Sequence, residues 1–137
     1  MGHATAVAAA LAAQKVIRDE DLLSNVVTRG KSIRAELRTS LANHPHVGDV
    51  RGRGMFIGVE FVRDRETKEP FDPREKLHNK VQLEAMDGGL LCYGMGGTID
   101  GQRGDHVLLA PPYNLGDTEQ EELVKIFVAA VAAGLPA

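Results

Sequence analysis

The stretch Gly54-Met55-Phe56-Ile57-Gly58-Val59-Glu60-Phe61-Val62 decides the fold class. Met55, Ile57, Val59 and Phe61 are apolar without a break and alternate with Phe56, Gly58, Glu60 and Val62. Successive side chains of a strand point to opposite faces, so this period of two predicts a strand with one covered face. It is the clearest strand in the chain. Just upstream, Asn43-His44-Pro45-His46 is a breaker, because proline lacks a backbone N–H and forces its predecessor out of the helical region. Val47 to Arg51 then reads as a short strand leading into the first, bent at Gly52 and Gly54.

Further upstream the period changes. Leu22, Leu23, Val26, Val27, Ile33, Leu37 and Leu41 recur at steps of three and four, which predicts a helix from about Asp21 to Leu41. Gly30 lies on that apolar stripe, where a neighbour is expected to approach closely. Before it, Ala4 to Ile17 is Ala-rich with Val7, Leu11 and Lys15 at steps of four. This predicts a helix with small residues on most faces, able to pack closely on several sides.

Downstream, Asp64 to Pro73 is a polar turn segment, and Arg74 to Asp87 reads as a third helix with Leu77, Val81 and Ala85 on one face. Gly88-Gly89 ends it, Leu90 to Tyr93 is a short apolar strand, and Gly94 to Gly104 is a glycine-rich loop. Val107 to Ala110 is a further strand, stopped by Pro111-Pro112. The last helix carries Leu123, Ile126, Phe127, Ala130 and Val131 on its buried face, with its N-cap at Gly116, Asp117 or Thr118. Strands sharing one apolar face, with helices against it, predict an α+β fold: a two-layer sandwich with a small, mainly antiparallel sheet.

The chain has 137 residues, 43% apolar and 26% charged, which fits a single domain over 1–137 with one core. A net charge of −3 gives no basic footprint for nucleic acid or an anionic membrane. The apolar run Ala4 to Ala13 has no preceding Lys or Arg and is too short to span a bilayer, so it reads as neither signal peptide nor membrane anchor. The lone Cys92 allows no intrachain disulfide and no cysteine-based zinc site, which is compatible with a reducing, cytoplasmic setting. It is expected to serve packing.

Most candidate motifs fail on context. Gly30-Lys31-Ser32 imitates the end of a phosphate-binding loop, but Asn25 stands where the first glycine belongs and an amphipathic helix precedes it instead of a strand. Gly52-Arg53-Gly54 leads into a strand, not a helix. The five histidines are scattered, without the helical pair a zinc hydrolase needs, and Ser24, Ser32 and Ser40 form no nucleophile elbow. Asp105 beside His106 could orient a site, although strand-edge polar residues are the simpler reading. The glycine-rich loop remains the one segment that invites a functional role.

The order of motifs resembles the C-terminal part of class III aminotransferases. The matching fragments are Gly2-His3 before the Ala-rich helix, Val47-Gly48-Asp49-Val50-Arg51-Gly52, Gly54 to Phe61, Pro70-Phe71-Asp72-Pro73, Gly89-Leu90-Leu91, and Gly104-Asp105-His106-Val107-Leu108-Leu109-Ala110-Pro111-Pro112. The resemblance implies a dimeric, pyridoxal-phosphate-dependent transferase that moves an amino group from an amino acid or amine to a keto acid. In that family a large domain holds the cofactor and a small domain closes over the substrate.

The family's Schiff-base lysine, pyridine partner and phosphate donors all lie upstream of the match. This chain is therefore expected to be the small domain alone, with the large domain absent, no bound cofactor, no catalytic residue and no activity of its own. Its partners would be that missing domain and a second copy. The resemblance also places an arginine near the loop before Gly104-Asp105-His106, where it can receive a substrate carboxylate. Arg103 is the only arginine there; its alternative is a solvated loop residue paired to Asp100 or Asp105. Gly116 stands where relatives carry a capping Thr, a departure that concerns helix stability. The readings that compete with this one are a stand-alone module binding a small anion at the glycine-rich loop and a protein-interaction domain using the Ala-rich helix.

Overall fold

The computed structural model describes residues 2–136. Helices α1 (Ala4–Asp19) and α2 (Leu22–Ser40) precede a hairpin of β1 (Val47–Arg53) and β2 (Phe56–Phe61), and α3 (Leu77–Asp87), β3 (Tyr93–Gly96), β4 (Asp105–Leu109) and α4 (Asp117–Gly134) follow. The strands form one antiparallel sheet in the order β1-β2-β4-β3, so the alternating stretch and β4 occupy its centre. The fold is the α+β sandwich expected.

Ile57, Val59 and Phe61 of β2 and Val107 and Leu109 of β4 are buried on one face, against Ile33 and Leu37 of α2, Leu77, Val81 and Ala85 of α3, and Phe127 and Val131 of α4. Covering each such side chain stabilises the fold by about 1.5–3 kcal/mol, which is why the parity of β2 fixes the layer arrangement. In β1, Val47 and Val50 are both buried although three positions apart. A register shift between Val47 and Asp49 inserts the extra residue that reconciles them.

Gly30 is buried where the hairpin turn crosses α2, and a Cβ there would run into the Gly54 carbonyl. Arg34 Nη1 donates to the same carbonyl oxygen at 2.7 Å, fastening helix to turn. On the other flank of α2 the buried Gln120 donates through Nε2 to Ser32 Oγ at 3.0 Å and Glu36 Oε1 at 2.7 Å, tying α2 to α4 without an orphaned polar atom.

Several boundaries differ from the sequence reading. The third helix begins at Leu77, not Arg74, because Asp72 caps a separate 3₁₀ turn over Pro73–Glu75 and Lys76 turns left-handed at φ 48. The third strand is Tyr93–Gly96 instead of Leu90–Tyr93, and the glycine-rich loop shortens to 97–104, because Gly94 and Gly96 pair with Val107 and Asp105. Leu90 and Leu91 instead leave the helix. The Leu90 and Gly89 amides bond back to the Ala85 and Met86 carbonyls, at 2.8 and 3.0 Å, with Gly89 at φ 94, a Schellman cap. The fourth strand starts at Asp105 and ends at Leu109, two residues before Pro111. Finally, α1 packs closely on no side: it has no buried residue, and only Ile17 is half-buried.

Candidate functional site: the glycine loop and the open sheet face

Helices cover one face of the sheet and leave the other open. There Phe56, Glu60, His106, Leu108 and Tyr93 point outward, and Phe56 is 60% exposed. Between the Arg51–Glu60 pair and His106 lies a cleft of about 290 Å³, walled by Phe56, Leu108 and Thr98. Arg51 donates to Asp49 Oδ2 at 3.1 Å and also to Glu60, and the Glu60 carboxylate raises its pKa first, with Asp49 adding to it. His106 Nδ1 is bonded to Thr98 Oγ1. Burial, more than the nearby Arg51, pushes the His106 pKa below its ordinary value, which favours the neutral ring. A larger cleft of about 380 Å³ between Pro112 and α4 is apolar, with Glu119 and Glu122 among its lining residues, and holds none of the residues expected to act.

The loop over 97–104 overhangs the open face from the β3–β4 end of the sheet. Gly97, Gly101 and Gly104 take φ of 82, 85 and 98, values open to glycine and strained for other residues. Ile99 N–H donates to the Arg103 carbonyl and Gly101 N–H to the Gly97 carbonyl, both at 2.9 Å, so the loop is closed on itself. Arg103 is on its surface, with Nε donating to Asp100 Oδ2 at 2.7 Å. This is the pairing weighed as its alternative role. The two Nη groups make no hydrogen bond within the protein among the described residues, so the terminal fork of the guanidinium faces solvent.

Asp105 and His106 do not act together. Consecutive strand residues point to opposite faces, so His106 lies over the cleft while Asp105 turns into the core and is 2% exposed. The imidazole that Asp105 engages belongs to His78 of α3, whose Nδ1–H and backbone N–H both donate to Asp105 Oδ1, the latter at 3.2 Å. The cause shows once the start of α3 is known. Lys76 precedes α3 and offers no side-chain cap, so the helix N-terminus needs an acceptor from elsewhere. His44 and His46 lie in the turn before β1, with His46 Nδ1 near the Val62 and Arg63 carbonyls at 3.1 Å, a structural role. Cys92 is half-buried beside the core, and burial raises its thiol pKa.

All six lysines, Lys15, Lys31, Lys68, Lys76, Lys80 and Lys125, are exposed. Lys15 pairs with Asp19, and Lys68 Nζ donates to the Gly48 carbonyl at 2.9 Å. A Schiff-base lysine must be desolvated and rigidly held, and none of these is. Asp105, the one buried carboxylate among the described residues, is already committed to His78 and α3, so it is not free to serve a pyridine nitrogen. The residues present do not fit a pyridoxal phosphate site. Among the described residues no His, Cys, Asp and Glu cluster has metal-binding form, and no helix is long and apolar enough to cross a membrane.

Comparison with known proteins agrees with this architecture. An aminotransferase of Schizosaccharomyces pombe is 40% identical over 137 residues, covering 98% of this chain and 30% of the relative. The Bacillus subtilis aminotransferase YodT is 34% identical, covering 96% of the chain and 30% of that protein. Among solved structures, an (S)-enantioselective omega-transaminase from Thermomicrobium roseum superposes with a TM-score of 0.85 at 32% identity, covering 98% of this chain and 28% of its own. A transaminase from a marine Virgibacillus gives 0.88 at 27% identity, covering 96% and 29%. The chain thus spans under a third of the length of these relatives. Residues 1–131 match the family described as aminotransferase class-III, and the chain belongs to that family.

Proposed function

We propose that this chain is the C-terminal small domain of a pyridoxal-phosphate-dependent aminotransferase of the cytoplasm, dimeric when whole. That enzyme transfers an amino group from an amino acid or amine to a keto acid. The cofactor and its lysine belong to a large domain outside residues 1–137, and the chain alone is inactive. The observation that carries this reading is a family match over residues 1–131 in a chain whose lysines are all exposed. The share of the relatives that it covers, 30% for each of the two aminotransferases, supports a missing larger part. The open sheet face, with Phe56 and Tyr93 uncovered, is the surface offered to that part.

Within the proposed enzyme the chain contributes substrate recognition. Arg103 receives the substrate carboxylate end-on through its two free Nη groups, while Asp100 holds Nε and steadies the guanidinium plane. The test of the whole reading uses the 137-residue chain mixed with pyridoxal phosphate and borohydride. Only scattered, substoichiometric labelling of surface lysines is expected. A one-to-one reducible adduct at a single lysine would overturn the assignment and favour a self-sufficient cofactor-binding module.

A further inference from the structure

The glycine loop is held from beneath by one residue of another element. His78 is the second residue of α3, and four of its atoms meet the two strands that carry the loop. Its backbone N–H donates to Asp105 Oδ1 at 3.2 Å, and its Nδ1–H donates to the same oxygen. With the Asp105 carboxylate as the acceptor, the tautomer that makes this bond is the one carrying its hydrogen on Nδ1. On the β3 side, a Cβ at Gly94 would stand 2.7 Å from the His78 carbonyl oxygen, and one at Gly96 would stand 2.9 Å from the imidazole Cε1. Glycines at 94 and 96 therefore let β3 lie directly on His78.

The consequence is geometric. Gly96 is the last residue before the loop and Asp105 the first after it, so both stems of the 97–104 segment lie against the same imidazole. Asp105 also serves α3. The Asn79 and Lys80 amides reach back to the Lys76 carbonyl, whereas the His78 amide is capped from 27 residues downstream. A carboxylate at a helix N-terminus is favoured by the helix dipole, and the Asp105 side chain is held there only 3% exposed. Arg103 lies two residues before this anchor.

We propose that His78 is a positioning residue: its Nδ1–H bond to Asp105, made under Gly96, fixes the stems of the glycine loop and so fixes where Arg103 presents its guanidinium. The loop part stands on the contacts above. The part concerning Arg103 rests on the substrate-recognition reading, and the experiment separates the two.

The first arm uses the full 137-residue chain and amide hydrogen exchange of Ile99 and Gly101, with β2 amides as the control. His78→Phe keeps a flat ring but has no donor, whereas His78→Asn keeps an N–H near Nδ1. His78→Phe should speed loop exchange about tenfold, the effect of losing one net hydrogen bond on a local opening equilibrium. β2 should be unchanged, and His78→Asn should restore most of the protection. Unchanged loop exchange, equal loosening of β2, or no rescue by Asn would each overturn the positioning role. If His78→Phe does not fold, Asp105→Asn decides instead: it retains shape and an acceptor but weakens the bond, and wild-type loop exchange there would overturn the proposal.

The second arm uses the longer aminotransferase that carries this chain. His78→Phe should raise KM for a carboxylate-bearing donor about tenfold with little change in kcat, as expected when uniform binding is lost. A simple amine should be affected far less. If Arg103→Ala shows no such preference, the Arg103 reading fails while the loop result stands. If Arg103→Ala shows it and His78→Phe does not, His78 has no part in presenting Arg103.

Discussion

Asp100 closes its turn with three hydrogen bonds, from Gln102 N–H at 3.0 Å, Arg103 N–H at 2.7 Å and Arg103 Nε at 2.7 Å. The Arg103 amide above all, then its guanidinium and the Gln102 amide, lower the Asp100 pKa from 3.8 to about 2. The sign follows from the direction: a carboxylate whose folded pKa is depressed supports the turn fully above 3.8 and loses that support as pH falls through about 2. Titration of the chain should therefore move the Gln102 and Arg103 amide resonances together with a midpoint near 2, and Asp100→Ala should abolish that step. A midpoint near 4 would mean the three bonds are not kept in solution. At this scale the sequence was least legible. Arg103 and its pairing to Asp100 could be read from nearness in the chain, whereas His78 as the partner of Asp105 depends on a contact 27 residues apart. Asp105 and His106 are adjacent in the chain and opposed in space because β4 begins at Asp105, two residues before the apolar run that marks it in the sequence, so both obey the alternation of a strand.

Element by element, legibility followed the strength of the period. β2 and α2 repeat their apolar residues often enough to specify both kind and face, and Gly30 on the α2 stripe correctly announced a close neighbour. β3 has two glycines among four residues, and its two larger side chains, Tyr93 and Met95, are exposed, so no buried stripe marks it and its start was misplaced by three positions. Its position comes from pairing with β4, a tertiary cause that no local pattern encodes. The two kinds of glycine here should respond differently to alanine. Within α2, Gly30→Ala gains about 1 kcal/mol of helix propensity but drives a methyl into three backbone atoms of Gly54, an overpacking at the upper end of about 1–3 kcal/mol. Backbone cannot swing aside as a side chain can, so the clash should win and the unfolding midpoint should fall. At Gly89 nothing stands within 4 Å of the added methyl, and the cost is the left-handed backbone alone, about 1 kcal/mol. Denaturant melts of the two variants should rank Gly30→Ala as the less stable if the close approach is real; equal loss would remove it.

On the scale of the whole molecule, the core belongs to the α2–α4 sandwich while α1 stands outside it. Residues of α1 bury nothing, Val7, Leu11 and Val16 are exposed, and on the neighbouring α2 so are Leu23 and Val27, with Leu11 at 66%. The α1 N-terminus has no side-chain cap, and its first turn contains no acidic residue to oppose the dipole. An unsupported helix of 16 residues is close to the length at which helices are marginal in water, roughly 12–15 residues, so α1 needs a cover to persist. In the proposed parent enzyme that cover comes from the missing domain; in the 137-residue chain a second copy is the available source. An apolar patch of a few hundred Å², re-covered at about 25 cal/mol per Å², contributes several kcal/mol before the costs of association, enough for a weak dimer. Pairing about a two-fold axis is the commonest way to bury one patch against its own copy. Light scattering should accordingly show a mass that rises with concentration. Leu11→Glu should keep the chain monomeric and change its unfolding free energy by no more than about 0.5 kcal/mol, because the side chain it replaces lies on the surface. Amide exchange read on the same samples separates the alternatives: α1 amides should gain protection as the dimer fills and lose it in Leu11→Glu. A chain that stays monomeric at every concentration with α1 fully protected would show that the helix needs no cover, and would favour a self-sufficient module over a domain detached from its partner.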